Sequence, residues 1–386
     1  MSQLGNAFQF VALMWFAVET AGPLGVVAVR LVDALPALLF SLHGGVVADR
    51  WDRRRTMIGM DLVRGLALVP VAVAGIVGTV PLWALVATSF VLTTGASYFT
   101  PAFGALLPSL VGREGVQRAN GLVNATNAAL QTAGWALAAG LLGIVSAGTF
   151  FTINAVSFLL SAGLLLRVRR RTGAEQATTA NSPTLRDGFA GLRARIGLPT
   201  AVGMLGAGMT LTTGVWTVGV AELAHSTLDH GAAGLALLLA ATAVGTISAA
   251  GFLARRPVRR KVFASCLAWT LHVPGYLLLA VGTSLAPLML GTFLVGAGCS
   301  AALLLVASAT QESLPEEKLG RAMGVVFLGH AGTKPIGLLA IAPLYAVVDA
   351  RVVFLAGSLA IAVCSLYAAT LVRASTVRAA AVQAAA

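Results

Sequence analysis

Residues 44–55 read GGVVADRWDRRR, and this stretch decides how the rest of the chain is parsed. It closes a long apolar run. It then packs two acids, Asp49 and Asp52, and four arginines, Arg50, Arg53, Arg54 and Arg55, into a very short connection. Apolar sequence resumes at Met57. A helix needs about 20 apolar residues to cross a bilayer, so the stretch predicts a tight basic hairpin between two spans.

The surrounding composition agrees. Of 386 residues 58% are apolar and only 10% charged, with a mean hydropathy of +0.88. Soluble domains are about 25% charged, which excludes an ordinary water-soluble fold. Residues 65–112, 119–166 and 262–311 contain no Asp, Glu, Lys or Arg. At about 1.5 Å per residue each run covers roughly 70 Å, two passes of a ~30 Å hydrocarbon core. The fold class expected is therefore an all-α, polytopic membrane protein. A β-barrel would show alternating strands of about ten residues instead.

The net charge of +12 invites a nucleic-acid partner, but its distribution argues against one. Of the 26 Lys and Arg, 22 fall in alternate connections and the C-terminal tail, while Arg351 falls in the other set. Arg30, Arg64 and Lys334 lie within spans. That asymmetry is the positive-inside pattern, so the basic excess reports orientation. Cys266, Cys299 and Cys364 sit in apolar runs and read as small core residues. No Cys/His metal spacing, phosphate loop or nucleophile–base–orienter set occurs, so neither metal, cofactor nor enzyme activity is expected.

Spans are expected at about 3–19, 23–47, 57–77, 82–107, 119–145 and 150–166, then at 201–221, 232–253, 262–281, 285–309, 322–347 and 352–372. Span 1 begins almost at Met1, so either the true start lies upstream or the span is a turn short. Residues 167–200 carry seven arginines and form the one long hydrophilic stretch, which reads as a linker. Within it Leu185, Phe189, Leu192 and Ile196 alternate with Arg186, Arg193 and Arg195. Either a helix lies there on the lipid surface or the spacing belongs to a solvated loop. The domains expected are a six-helix half (1–166), the linker (167–200), a second half (201–372) and a tail (373–386). Both termini lie on the basic, cytoplasmic side.

An internal repeat supports the doubling. At an offset of 203, Glu114, Arg118, Ala119, Gly121 and Gly134 fall on Glu317, Arg321, Ala322, Gly324 and Gly337. At an offset of 206, Gly45, Arg50, Arg53, Arg54 and Arg55 fall on Gly251, Arg256, Arg259, Arg260 and Lys261.

The pattern Gly45, Asp49, Arg50, Arg53, Arg54 resembles the loop 2–3 signature of the major facilitator superfamily. SQLGNAFQFVALMWF (2–16), ALPALLF (34–40) and LPSLVGREGVQRANG (107–121) resemble its bacterial enterobactin-exporter and macrolide-efflux branch. The resemblance implies a monomer in membrane lipid with one substrate cavity, alternately open to either side. It also implies small-molecule export driven by protons. Uptake, movement of a lipid-like solute, or a non-transporting sensor or scaffold remain as alternatives. Drug/proton antiporters often carry Gly-Pro in span 5; here Gly134 precedes Trp135.

Several residues could carry this chemistry. The resemblance makes Asp49 a gate, reaching the start of span 11 and nearby arginines; the alternative is a purely topogenic loop. In the second-half loop, with Gly251, Arg256, Arg259 and Arg260, the acid is replaced by Arg255. Asp61 and Arg64, three apart, can pair with each other or brace the first loop. Asp33 lies about ten residues into span 2, near mid-membrane, where an ionisable group needs a cavity or partner. It either pairs statically with Arg30 or takes up a proton. Lys334, beside Pro335, could hold an anionic cargo or pair with Asp33, with His330 one turn away. Trp135 and Trp216 line a cavity or fill helix contacts. Glu19 and Glu222, at the outer ends of spans 1 and 7, read as solvated or vestibular. His43 and His272 read as packed or cavity-lining.

Overall fold

The computed structural model describes residues 2–78, 80–141, 145–167, 190–227 and 231–385, and among these there is no strand. The helices in chain order are α1 (Ser2–Arg50), α2 (Arg53–Val77), α3 (Leu82–Val111), α4 (Val116–Leu141), α5 (Ala147–Leu165), α6 (Leu198–Thr227) and α7 (Gly231–Arg255). They continue as α8 (Lys261–Ala268), α9 (His272–Val281), α10 (Leu285–Ser313), α11 (Glu316–Phe327), α12 (Lys334–Ile341) and α13 (Ala350–Ala385). Among the described residues eight segments are long and apolar enough to cross a membrane. This is a multi-pass membrane protein.

The basic hairpin is sharp because of Asp52. Its extended backbone breaks the helical run after α1, and its Oδ1 accepts the Arg55 N–H at 2.7 Å, capping α2. The other end of α2 stops at Gly78, whose φ of +104° is left-handed backbone, and whose N–H donates to Ala74 O.

Spans 1 and 2, expected as separate helices, lie in one unbroken helical run. A straight helix of 49 residues would be about 73 Å long. Contacts along α5 show instead that α1 reverses. Asn6 accepts from Asn154, midway along α5, and Phe16 stacks on Phe151 near the N-terminal end of α5. Thr20 then donates to Val80 O, just past α2's C-terminus, and Ala48 packs in one cluster with Leu165 at the C-terminal end of α5. α1 therefore carries two antiparallel passes.

The expected span 322–347 is also reshaped. α11 ends at Phe327, a π-helical turn covers Leu328–Gly332, and a 3-10 turn at Ala342–Ala346 follows α12. Pro335 supplies the cause: it has no N–H, and its ring crowds the carbonyl four residues back. Thr333 repairs part of the break, donating to Gly329 O at 2.9 Å and to Gly206 O of α6 at 3.2 Å. A smaller 3-10 turn, Trp269–Leu271, separates α8 from α9.

Two compact units emerge. One comprises Met1–Leu110, Ala129–Asp187 and Pro315–Phe327; the other Val111–Ala128, Gly188–Leu314 and Leu328–Ala386. These differ from the sequence halves at two places, because the start of α4 joins the second unit and α11 joins the first. The first unit's core is aromatic, with Phe8 stacked on Phe150, and Phe158 buried beside them. The second centres on Tyr276, Phe354, Leu279 and Leu288. Lipid tails are as apolar as the core, so close packing rather than water exclusion holds these helices. At Gly75, for instance, a Cβ would come within 2.7 Å of Gly148 Cα.

Candidate functional site

In the first unit the end of α1 meets the start of α11. Asp49 Oδ1 accepts the Gly320 N–H at 2.6 Å, and Oδ2 accepts the Arg321 N–H at 3.0 Å and Arg321 Nε at 2.7 Å. Glu316 O and Glu317 O are the carbonyls those two N–H groups would reach in a regular helix. Here they also accept from Arg53 Nη2 and Arg321 Nη2. Side chains thus take over part of the first turn's hydrogen bonding. The Asp49 side chain is 2% exposed, and burial pushes its carboxyl above its ordinary value of 3.8, partly offset by the bonds from Arg321 and Gly320.

Glycines set the distance. A Cβ on Gly45 would meet Gly320 O at 2.7 Å, and one on Gly324 would meet Ser41 O at 2.6 Å. The arginines of the hairpin have separate tasks. Arg53 is buried and donates to Ala48 O and Ala105 O, with Glu316's carboxylate 3.7 Å away. Arg54 donates to Leu165 O at 2.6 Å and to Leu166 O, covering carbonyls at α5's C-terminus. Arg50 is exposed.

The second unit holds the repeat-related junction with its polarity reversed. Asp49's counterpart is Arg255, which is exposed, and a Cβ on Gly251 would meet nothing within 4 Å. The polar group comes from the opposite helix instead. Gln117, 4% exposed near the start of α4, donates through Nε2 to Leu253 O and Arg256 O, both at 2.8 Å, and accepts the Val258 N–H at 3.0 Å. One turn on, Asn120 donates to Ser308 Oγ and Gln311 Oε1. Sequence reasoning missed both; the available signal was two amides in the first turn of a span. Arg259 and Arg260 are exposed and lack the buried environment of Arg53.

Within the first unit a cavity of about 200 Å³ is lined by Asp33, Arg64, Asn6, Gln9, Ser89 and Thr93, among others. Asp33 Oδ1 accepts from Thr93 Oγ1 at 2.6 Å and from Ser89 Oγ at 3.1 Å. Arg64 pairs with Asp61 and lies over the rings of Phe99 and Phe158, 4.7 and 4.5 Å from their centroids. The side chain of Arg30, expected beside Asp33, lies outside the described residues, as do those of Glu19 and Trp135.

In the second unit Lys334 opens α12 directly after the broken turn and interacts electrostatically with His330 and Cys299. His330 Nδ1 and Trp216 Nε1 are buried without a hydrogen-bond partner among the described residues. Cys299 Sγ lies 3.5 Å from Met209 Sδ. Glu222 is exposed. His272 is fully buried, as expected, but His43 is exposed and bonded at 2.8 Å to Tyr98 Oη, because its helix face leaves the core there.

The family model described as "Transmembrane secretion effector" matches residues 1–386. The chain belongs to the major facilitator superfamily. This superfamily member is 29% identical over 122 residues to Macrolide efflux protein A of Streptococcus pyogenes, covering 31% of this chain and 30% of the relative. It is 23% identical over 177 residues to the MFS-type transporter YvqJ of Bacillus subtilis, covering 46% and 42%. The chain thus spans less than half the length of these relatives. Solved structures share its fold: the human organic anion transporter MFSD10 (TETRAN) at TM-score 0.75, with 18% identity over 95% of this chain and 89% of that one. A bacterial homologue of the iron transporter ferroportin, in an outward-facing state, follows at 0.72 and 16%, covering 96% of each.

Proposed function

We propose that the protein is a proton-coupled exporter of an amphipathic small molecule, working by alternating access, with Asp33 as the proton-carrying group. The observation that carries this reading is the Asp33 carboxylate lining a polar cavity, held by two hydroxyls, with Arg64 on the same wall. A mid-membrane carboxylate facing a cavity can exchange protons with it. The efflux named for the streptococcal relative supports the direction of transport. In this reading the chain has twelve spans in two six-helix halves, both termini cytoplasmic, and acts as a monomer.

Asp49 serves as the gate. Its bonds to Gly320 and Arg321 are made in one state and broken in the other, so the switch has a defined contact to lose. In the same reading Lys334, with His330, attracts an anionic part of the cargo.

The test is export from proteoliposomes under an imposed pH gradient, compared with substrate counterflow without a gradient. Asp33→Asn should abolish the first and leave the second. Gradient-driven export that survives Asp33→Asn ends the coupling assignment. Absence of both activities in the wild-type protein, across cationic, neutral and anionic amphiphiles, would favour a sensor or scaffold.

A further inference from the structure

Arg259 and Arg260 repeat the positions of Arg53 and Arg54, yet they carry none of the buried contacts of that hairpin. They line a second cavity instead. It measures about 780 Å³ and lies between the start of α8 and residues 372–377 of α13 in the second unit. Its cationic wall is Arg259, Arg260, Lys261 and Arg373; Ile196 and Phe263 are among its apolar lining. Lys261 is neutralised by Glu312 at 2.9 Å. Among the described residues no acid lies within salt-bridge distance of Arg259, Arg260 or Arg373.

The level of the groove matters as much as its charge. Lys261 opens the candidate span Lys261–Val281, and Arg378 closes the candidate span Ala350–Arg378. The groove therefore sits where two spans leave the hydrocarbon, at the depth of lipid headgroups. Gly197, with a φ of +74°, turns the chain against its inner wall, where a Cβ would come within 3.0 Å of Val372 and 3.2 Å of Val262. Ile196 beside it is left 49% exposed, and Val377 62%. A soluble anion would use the guanidinium groups and leave this apolar surface wet. An anionic phospholipid uses both, since arginine's planar fork matches phosphate oxygens and the acyl chain covers the apolar lining.

We propose that this groove is a binding site for one anionic phospholipid, its phosphate held by Arg259, Arg260 and Arg373 and its acyl chain lying along Ile196 and Phe263. The site is independent of the cargo and of the coupling residue, so it stands or falls separately from the transport reading.

Native mass spectrometry of the full-length, delipidated protein tests it, with phosphatidylglycerol, phosphatidylcholine or inorganic phosphate added back. The wild-type protein should retain one phosphatidylglycerol under conditions that strip phosphatidylcholine. The variant Arg259→Gln/Arg260→Gln/Arg373→Gln should retain it at least about tenfold less, and the corresponding triple lysine variant should recover most of the loss. Single Arg260→Gln and Arg373→Gln variants, each expected to lower retention, serve if the triple glutamine variant does not fold. Unchanged retention in the glutamine variants overturns the proposal. So does equal retention of phosphatidylcholine, and so does displacement of phosphatidylglycerol by inorganic phosphate at equal concentration, which would mark a soluble-anion site.

Discussion

Asp49 and Arg321, 272 positions apart in sequence, form a buried pair 2.7 Å long, and the same carboxylate also accepts Arg321's own backbone N–H. One side chain thus fixes both the position and the local backbone of the helix it meets. The consequences can be separated by substitution.

Asp49→Asn keeps an amide oxygen to accept one of the two N–H groups, so the chain should still fold, with a smaller drop in thermal midpoint in detergent than a variant with no acceptor. Transport should slow, because the charge contact that distinguishes the two states is gone. Asp49→Leu removes every acceptor and leaves a buried guanidinium; a loss of about 3–5 kcal/mol is expected. Equal melting of the Asn and Leu variants would show that the carboxylate's bonds do not hold the junction.

The pH dependence has a defined sign. Burial places the Asp49 carboxyl above 3.8 in the folded chain, so the folded state binds its proton more readily than the unfolded state. Stability contributed by this group is greatest below the ordinary value and declines as pH rises through the raised one. The wild-type thermal midpoint, referred to that of Asp49→Asn, should therefore fall as pH is raised from the ordinary carboxylate range towards neutrality. A rise over that interval would mean that the pairing with Arg321 outweighs burial.

Gly45 and Gly251 are equivalent in the repeat but not in space. Gly45→Ala places a Cβ 2.7 Å from Gly320 O and 2.9 Å from Arg321 Cα, an overpacking expected to cost about 1–3 kcal/mol. Gly251→Ala meets nothing within 4 Å and should stabilise α7 by about 0.5–1 kcal/mol. Parallel thermal unfolding of the two variants checks both signs at once.

Gln117 makes a neutral version of the same kind of junction. Gln117→Leu leaves the Val258 N–H and two carbonyls without it, a loss of about 1–3 kcal/mol. Gln117→Glu keeps the acceptor but turns a carboxylate on the Leu253 and Arg256 carbonyls, so at neutral pH it should melt lower than Gln117→Leu. The reverse order would show that the amide's donor bonds contribute little.

For Asp61 and Arg64 a double-mutant cycle is informative. Either Asp61→Leu or Arg64→Leu leaves one buried charge and should cost about 3–5 kcal/mol, whereas the double variant should cost less than the sum. Arg64→Lys should recover only part, because an ammonium does not reproduce the guanidinium's stacking against Phe99 and Phe158. Full rescue by lysine would reduce the site to a point charge.

The amino-acid sequence by itself determined the membrane, the basic hairpin between Gly45 and Met57, and the family, because hydropathy, charge asymmetry and motif spacing are local properties of the chain. It also placed Asp61 beside Arg64, three residues away on one helix. Tertiary structure alone decided which atoms of Gly320 and Arg321 bond Asp49, the partners of Gln117 and the hydroxyls around Asp33. It also decided where the π turn falls ahead of Pro335, and which of two equivalent glycines is crowded. Those depend on which helix faces which, and packing between apolar helices leaves almost no periodic mark in the residues that do it. Gln117 and Arg255 make the point: the repeat put an arginine where the acid should be, and only the fold showed that the opposite helix supplies the bond.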